Sequence, residues 1–90
     1  MRVARRYVIA GRVQGVGFRF FAEAAAAREG VHGWVRNLAD GTVEVMVEGD
    51  EASVDRVESL LRRGPSFARV ERFDVEDHAP TGRAPGFEIR

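Results

Sequence analysis

Apolar and polar residues alternate most clearly in residues 43–48, where valines at the odd positions are separated by Glu, Met and Glu. This period of two predicts a β-strand, which we expect to end at Gly49. Asp50 is then predicted to be the N-cap of a helix. Apolar runs predict four further strands, over residues 5–11, 31–38, 69–76 and 87–89. In the 69–76 strand, Val70 is at an even position and Phe73 at an odd one, so a regular strand would place them on opposite faces. This predicts a β-bulge between them.

Two segments have helical patterns. The alanine-rich run over residues 19–29 favours a helix that follows a glycine-interrupted loop and ends at Gly30. A second helix is predicted over residues 51–63, ending at Gly64-Pro65. Its apolar stripe consists of Val54, Val57, Leu60 and Leu61. Asp40-Gly41 is predicted to supply the positive φ angles of a hairpin, and residues 77–86 are expected to form a surface loop.

The predicted order is β-α-β-β-α-β with a short C-terminal strand, which indicates the α+β class and the ferredoxin-like split βαβ plan. We expect two helices on one face of a mainly antiparallel sheet, with right-handed crossovers and the strand order 4-1-3-2. Ninety residues predict a single domain over 1–90. Because this fold carries many functions, it does not by itself identify an activity.

Composition excludes several kinds of chemistry. The chain has no Cys, and all fourteen of its basic residues are Arg, so disulfides, thiol nucleophiles and lysine Schiff bases are ruled out. Fourteen acidic residues balance the arginines, which argues against a nucleic-acid partner. No apolar run has the length of a signal peptide or a membrane span. We therefore expect a cytoplasmic monomer with neither a nucleic-acid nor a membrane partner.

Residues 11–19 read Gly-Arg-Val-Gln-Gly-Val-Gly-Phe-Arg and lead from the first strand into the first helix. A helix N-terminus presents N–H groups without intrahelical acceptors, and the glycines permit these groups to converge on an anion. A Gly-x-Gly loop alone fits an ordinary turn equally well. Arg19 lies in the predicted first turn, where its charge opposes the helix dipole at a cost of about 0.3–1 kcal/mol. An anion bound beside Arg19 would offset this cost. The alternative is that Arg19 is simply exposed to solvent.

Asn37 ends the second predicted strand. In a right-handed βαβ unit the first two strands are parallel, so Arg19 and Asn37 lie at the same sheet edge. With one strand between them, those strands are about 9–10 Å apart, which allows the two side chains to bracket one phosphate and one water. The alternative is that Asn37 only shapes the hairpin.

Residues 11–19 and 33–43 resemble the two signature segments of the acylphosphatases, and the likeness continues to residues 87–89. This resemblance implies hydrolysis of the carboxyl-phosphate bond of small acylphosphates to a carboxylate and inorganic phosphate. It implies that Arg19 binds the phosphoryl group, that Asn37 orients the attacking water, and that no metal or organic cofactor is used. The implied phosphate cradle comprises the amides of Gln14, Gly15, Val16, Gly17, Phe18 and Arg19.

Other candidate features are assigned structural roles. The run Glu76-Asp77-His78 resembles a metal site, but consecutive strand residues face opposite ways. His32 is expected to be a surface or half-buried residue, and Phe20 and Phe21 are expected to pack into the core. Two functional alternatives remain: a non-catalytic anion-binding regulatory module, and a domain acting in carbamoyl-phosphate chemistry within a larger hydrogenase-maturation protein. The length of the chain disfavours the second.

Overall fold

The computed structural model describes residues 1–82 and 84–90. Its elements are β1 (Arg2–Arg12), α1 (Phe18–Glu29), β2 (His32–Asn37), β3 (Val43–Asp50), α2 (Glu51–Arg63), β4 (Arg69–His78) and β5 (Phe87–Ile89). This order confirms the predicted α+β arrangement. The expectation that Gly49 ends β3 is wrong, because Gly49 pairs with Val3 inside the strand.

The five strands form one mixed sheet in the order β4-β1-β3-β2-β5. The predicted order 4-1-3-2 is confirmed, and β5 adds a parallel strand outside β2. Because β1 and β2 are both antiparallel to β3, they run parallel to each other and end at the same sheet edge. The predicted bulge is also confirmed: Ala10 faces Arg72 and Gly11 faces Val70, which leaves Glu71 as the extra residue.

Both helices pack on one face of the sheet, where they share a core with the inward side chains of β1 and β3. In α1 the buried positions are Phe18, Ala22, Ala25 and Ala26, which recur at helical spacing. In α2 they are Val54, Val57 and Leu61, and the half-buried Leu60 packs against the same core. No helix in the described part of the chain is long and apolar enough to cross a membrane.

The sheet face opposite the helices is polar but well covered. Glu44 is only 4% exposed and accepts hydrogen bonds from the Nε atoms of Arg6 and Arg36, each at 2.5 Å. Glu48 is fully buried and accepts hydrogen bonds from Thr81 and Gly82. The alternation in β3 therefore separates an apolar face from a charged one, and both faces are buried.

Two local predictions, on the hairpin and on the cap of α2, need correction or refinement. No non-glycine residue has a positive φ in the described chain, so in the hairpin only Gly41, with φ of 92°, adopts the left-handed region. Asp40 instead accepts hydrogen bonds from the amide and hydroxyl of Thr42. Asp50 stands at the N-cap of α2 but its side chain makes no capping hydrogen bond.

Phe20 is not a core residue. It is 67% exposed, whereas Phe21 is half-buried and packs against the core as predicted. The reason is helical geometry: Phe20 lies two positions from both Phe18 and Ala22, so it projects from the opposite side of α1.

Candidate functional site

The β1–α1 loop, residues 13–17, is anchored at both ends by buried side chains. Val13 is 1% exposed at its start, and Phe18, the first residue of α1, is 2% exposed. Gly15 and Gly17 have φ angles of 74° and 78°, which side-chain-bearing residues rarely adopt. A Cβ at either glycine would meet no atom within 4 Å, so their backbone conformation, and not crowding, requires glycine.

The N-terminal end of α1 presents a group of backbone donors. Its first helical hydrogen bond runs from the amide of Phe21 to the carbonyl of Gly17, at 3.0 Å. Within residues 1–82 and 84–90, the amides from Gly15 to Phe20 have no acceptor. The first turn contains no acidic residue and Gly17 supplies no side-chain cap, so this end of α1 remains electropositive.

Arg19 is the second residue of α1, and its guanidinium makes a hydrogen bond to a residue far away in the sequence. Its Nη1 atom donates to the main-chain oxygen of Arg90 at 3.1 Å. Arg90 is itself fixed beside β2, because its amide donates to Val35 O at 2.8 Å and its guanidinium lies 4.7 Å from the Trp34 ring centroid. The residue that follows β5 therefore contacts the Arg19 side chain through its main chain.

Asn37 is the last residue of β2, and its side chain is exposed. In the described part of the chain this side chain makes no hydrogen bond. The hairpin that follows Asn37 is tied to the β1–α1 loop by Gln14, whose Nε2 atom donates to Leu38 O at 2.8 Å and Thr42 O at 3.0 Å. Gln14 thus joins the two segments that carry the predicted site residues.

The loop, the helix start and the end of β2 surround a pocket of about 210 Å³. The pocket is lined by Val13, Gly15, Gly17, Phe18, Arg19, Phe20 and Asn37. Arg19 and Asn37, predicted from separate segments, are thereby brought to one site. Of the remaining predicted cradle residues, Val16 packs against the core and the Gln14 side chain points to the hairpin. Arg19 is the one charged side chain among the lining residues.

The structure adds two contributions that sequence reasoning did not identify. Gln14 was expected to act through its amide, but its side chain bridges two segments of the site. The main chain of Arg90 supports Arg19 across 71 positions of sequence. Neither contact leaves a local sequence signal, because each requires the paired strands to be in place first.

The candidate metal run is not assembled into a metal site. Glu76 and His78 share one face of β4 and contact each other at 2.5 Å, while Asp77 lies on the other face, 3.8 Å from Arg5. Among the described residues, no group of three or more His, Asp or Glu side chains has the arrangement of a metal site.

The fold and the pocket together define a small α+β protein with an electropositive pocket at the start of its first helix. A sequence model described as Acylphosphatase matches residues 5–89. An acylphosphatase of Roseiflexus sp. is 51% identical over 90 residues, which cover 99% of this chain and 97% of that relative. The chain therefore belongs to the acylphosphatase family, and it is an enzyme of that family.

Solved structures agree with this assignment. The acylphosphatase of Bacillus subtilis matches with a TM-score of 0.94 and 33% identity, covering 98% of both chains. Full-length HypF, crystallised in a phosphate- and nucleotide-bound form, matches with a TM-score of 0.90 and 28% identity. That match covers all of this chain but only 12% of HypF, so the likeness concerns one small part of the larger protein.

Proposed function

We propose that this chain hydrolyses small acylphosphates by holding the phosphoryl group in the pocket and directing a water molecule at phosphorus. The observation that carries the proposal is the convergence of Arg19, Asn37 and the glycines of the β1–α1 loop on one pocket of about 210 Å³. The name shared by the full-length relatives supports acylphosphates as the substrate class.

Arg19 and the amides of the β1–α1 loop and the first turn of α1 bind the phosphoryl oxygens. The amides from Gly15 to Phe20 have no acceptor in the described chain, and a helix N-terminus favours negative charge. The planar guanidinium of Arg19 can donate two parallel hydrogen bonds to phosphate oxygens. Charge on these oxygens changes as the transition state forms, so fixed donors around them lower the barrier.

Asn37 orients the attacking water, since a side-chain amide both donates and accepts hydrogen bonds. In the reaction, the water oxygen forms a bond to phosphorus, and the bond between phosphorus and the acyl oxygen breaks. The carboxylate leaves with that electron pair, and the proton of the water passes to a phosphate oxygen. A carboxylate is a good leaving group, which fits a pocket with no Asp, Glu or His among its lining residues.

The proton route has its own test. A pH profile of kcat that follows only the ionisation of the substrate supports transfer to the phosphate, because the pocket lining offers no Asp, Glu or His to take the proton. A requirement for an enzyme group that ionises near neutrality would contradict it.

The monomeric state, the cytoplasmic location and the absence of a nucleic-acid partner stay predictions.

The activity is tested with benzoyl phosphate and acetyl phosphate, following loss of the acylphosphate. Arg19→Ala should lower kcat/KM by roughly a hundredfold or more, because it removes a donor to the developing charge. Asn37→Ala should lower kcat by about a hundredfold with a smaller effect on KM, since it misplaces the water and leaves the phosphate donors intact. Arg28→Ala is the matched control, because Arg28 is exposed in the last turn of α1, away from the pocket.

Full activity in both Arg19→Ala and Asn37→Ala would refute the assigned site. Binding of inorganic phosphate by the parent protein without turnover of any acylphosphate would instead favour the non-catalytic anion-binding module. Carbamoyl phosphate belongs in the same assay, since its preferential hydrolysis would favour the carbamoyl-phosphate alternative.

A further inference from the structure

Phe20 is an exposed aromatic residue placed at the mouth of the candidate active site. In the described chain the large exposed apolar side chains are Met1, Phe20, Phe67 and Val75. Of these, only Phe20 lines the pocket that Arg19 and Asn37 share. Single exposed apolar residues are common on protein surfaces, so the position of Phe20 is informative and its exposure alone is not.

The pocket has one polar part and one apolar part. Arg19, Asn37 and the amides at the start of α1 make the polar part. Phe20 follows Arg19 in α1 and lines the same pocket, and this apolar residue remains 67% exposed when the protein is folded. An acylphosphate is divided in the same way, because a charged phosphoryl group is joined through one oxygen to an uncharged acyl group.

The acyl group must leave the phosphate donors along the open side of the pocket. Val13 and Phe18 are buried, so their side chains serve mainly to anchor the loop. The lining residues include no carboxylate and no cation besides Arg19, so a charged acyl group would find no partner among them. An apolar planar acyl group would cover the exposed ring of Phe20 and remove both surfaces from water.

We propose that Phe20 is a specificity-determining residue that receives the acyl group, and that the enzyme favours acylphosphates with apolar, planar acyl groups over those with short ones. This inference rests on the proposed function, since it assumes that the phosphoryl group occupies the polar part of the pocket. The side chain of Phe20 acts on the leaving group, whereas Arg19 and Asn37 act on the phosphoryl group and the water.

The test compares kcat/KM for benzoyl phosphate with kcat/KM for acetyl phosphate in each variant. The ratio of these two kcat/KM values is compared between variants. In that comparison the difference in intrinsic reactivity between benzoyl phosphate and acetyl phosphate cancels. Phe20→Ala should lower the benzoyl-to-acetyl ratio by roughly threefold to tenfold, the range expected for one aromatic contact. Phe20→Tyr should restore the ratio, because it keeps the ring.

Phe67→Ala is the matched control, because Phe67 is 81% exposed but does not line the pocket. It should leave the ratio at the parent value. Inhibition by inorganic phosphate provides a second readout: its inhibition constant should change less than twofold in Phe20→Ala, since phosphate contacts only the polar part.

Equal losses for both substrates in Phe20→Ala would overturn the inference, as would weaker phosphate inhibition with an unchanged ratio. Binding of the non-hydrolysable benzoylphosphonate and acetylphosphonate, measured by calorimetry, separates this inference from the proposed function. If the parent protein turns over neither substrate, the proposed function fails. A preference for benzoylphosphonate that Phe20→Ala removes would still support the acyl contact, and equal affinities in the parent would overturn it.

Discussion

The guanidinium of Arg19 provides the positive charge of the pocket, but other residues determine its surroundings. The main-chain oxygen of Arg90 accepts a hydrogen bond from Nη1, which leaves the other guanidinium N–H groups for the pocket. Gln14 has a comparable role for Asn37, because its side chain connects the β1–α1 loop to two carbonyls of the hairpin beyond Asn37. The relative position of Arg19 and Asn37 therefore depends on contacts outside the pocket lining.

Gln14→Ala tests this positioning. The variant loses hydrogen bonds of 2.8 and 3.0 Å to Leu38 O and Thr42 O, so we expect the free energy of unfolding to fall by about 1–2 kcal/mol. We expect a larger effect on catalysis, with kcat reduced about tenfold or more because Asn37 is no longer held in register with Arg19. Steady-state kinetics and urea unfolding measure the two effects.

Gln14→Glu is a useful companion, because it keeps the size of the side chain but cannot donate to either carbonyl when ionised. We expect its kcat to fall at least as far as that of Gln14→Ala. A normal kcat in both variants, with the stability loss still present, would show that Gln14 stabilises the hairpin without positioning Asn37.

At the scale of elements, β2 is the strand on which both the site and the edge of the sheet depend. It carries Asn37 at its end and pairs with β5, whose continuation supplies the oxygen for Arg19. Gly33 permits a very close approach to β3: a Cβ at this position would lie 1.8 Å from Met46 O, and its φ is +145°. The amide of Gly33 also donates to Gly86 O at 3.0 Å, just before β5 begins.

Gly33→Ala should therefore destabilise the protein by about 3 kcal/mol or more, because the added methyl group collides with the β3 backbone in an unfavourable φ region. Gly30→Ala is the control, since Gly30 has φ of +67° but open space around its Cβ position. We expect it to cost about 1–2 kcal/mol, the strain of a left-handed residue alone. Equal losses in urea unfolding would contradict the close-approach argument.

The elements differ in how far sequence could define them. The strands, both helices and the bulge near Glu71 follow from local periodicity and glycine positions. The placement of Arg19 and Asn37 at one pocket follows from the parallel direction of β1 and β2, whereas their roles in the site stay predictions. Phe20 is exposed, contrary to the prediction from its aromatic character, because its angular position on α1 decides the side to which it projects. The burial of Glu44 was not predicted, since it requires Arg6 and Arg36 on neighbouring strands.

At the scale of the whole molecule, the chain must pass from one edge of the sheet to the other after β4. The edge strands β4 and β5 are separated by β1, β3 and β2, so they lie roughly 19 Å apart across the sheet. Glu48 lies on β3, the central strand, and holds this crossing near its midpoint. Its carboxylate accepts hydrogen bonds from the amide and hydroxyl of Thr81, both at 2.9 Å, and from the amide of Gly82 at 2.7 Å.

This arrangement makes the free energy of unfolding depend on pH. Burial alone would raise the pKa of Glu48, but the hydrogen bonds from Thr81 and Gly82, together with Arg2, outweigh it and lower the pKa to about 2. A carboxylate whose folded-state pKa lies below its unfolded value near 4.5 stabilises the fold fully above that value. Its contribution is lost as the pH falls from about 4.5 to about 2.

Glu48→Gln should reduce the free energy of unfolding at pH 7 by about 2–3 kcal/mol, because charged hydrogen bonds to the crossing segment become neutral or are lost. Below pH 4.5 the parent protein should lose stability faster than the variant, so the two curves from urea unfolding converge toward pH 2. Glu71→Gln, at the exposed bulge of β4, is the control and should follow the parent curve. A constant offset between parent and Glu48→Gln over the whole range would show that Glu48 does not titrate there, and that the crossing segment is held by shape and not by charge.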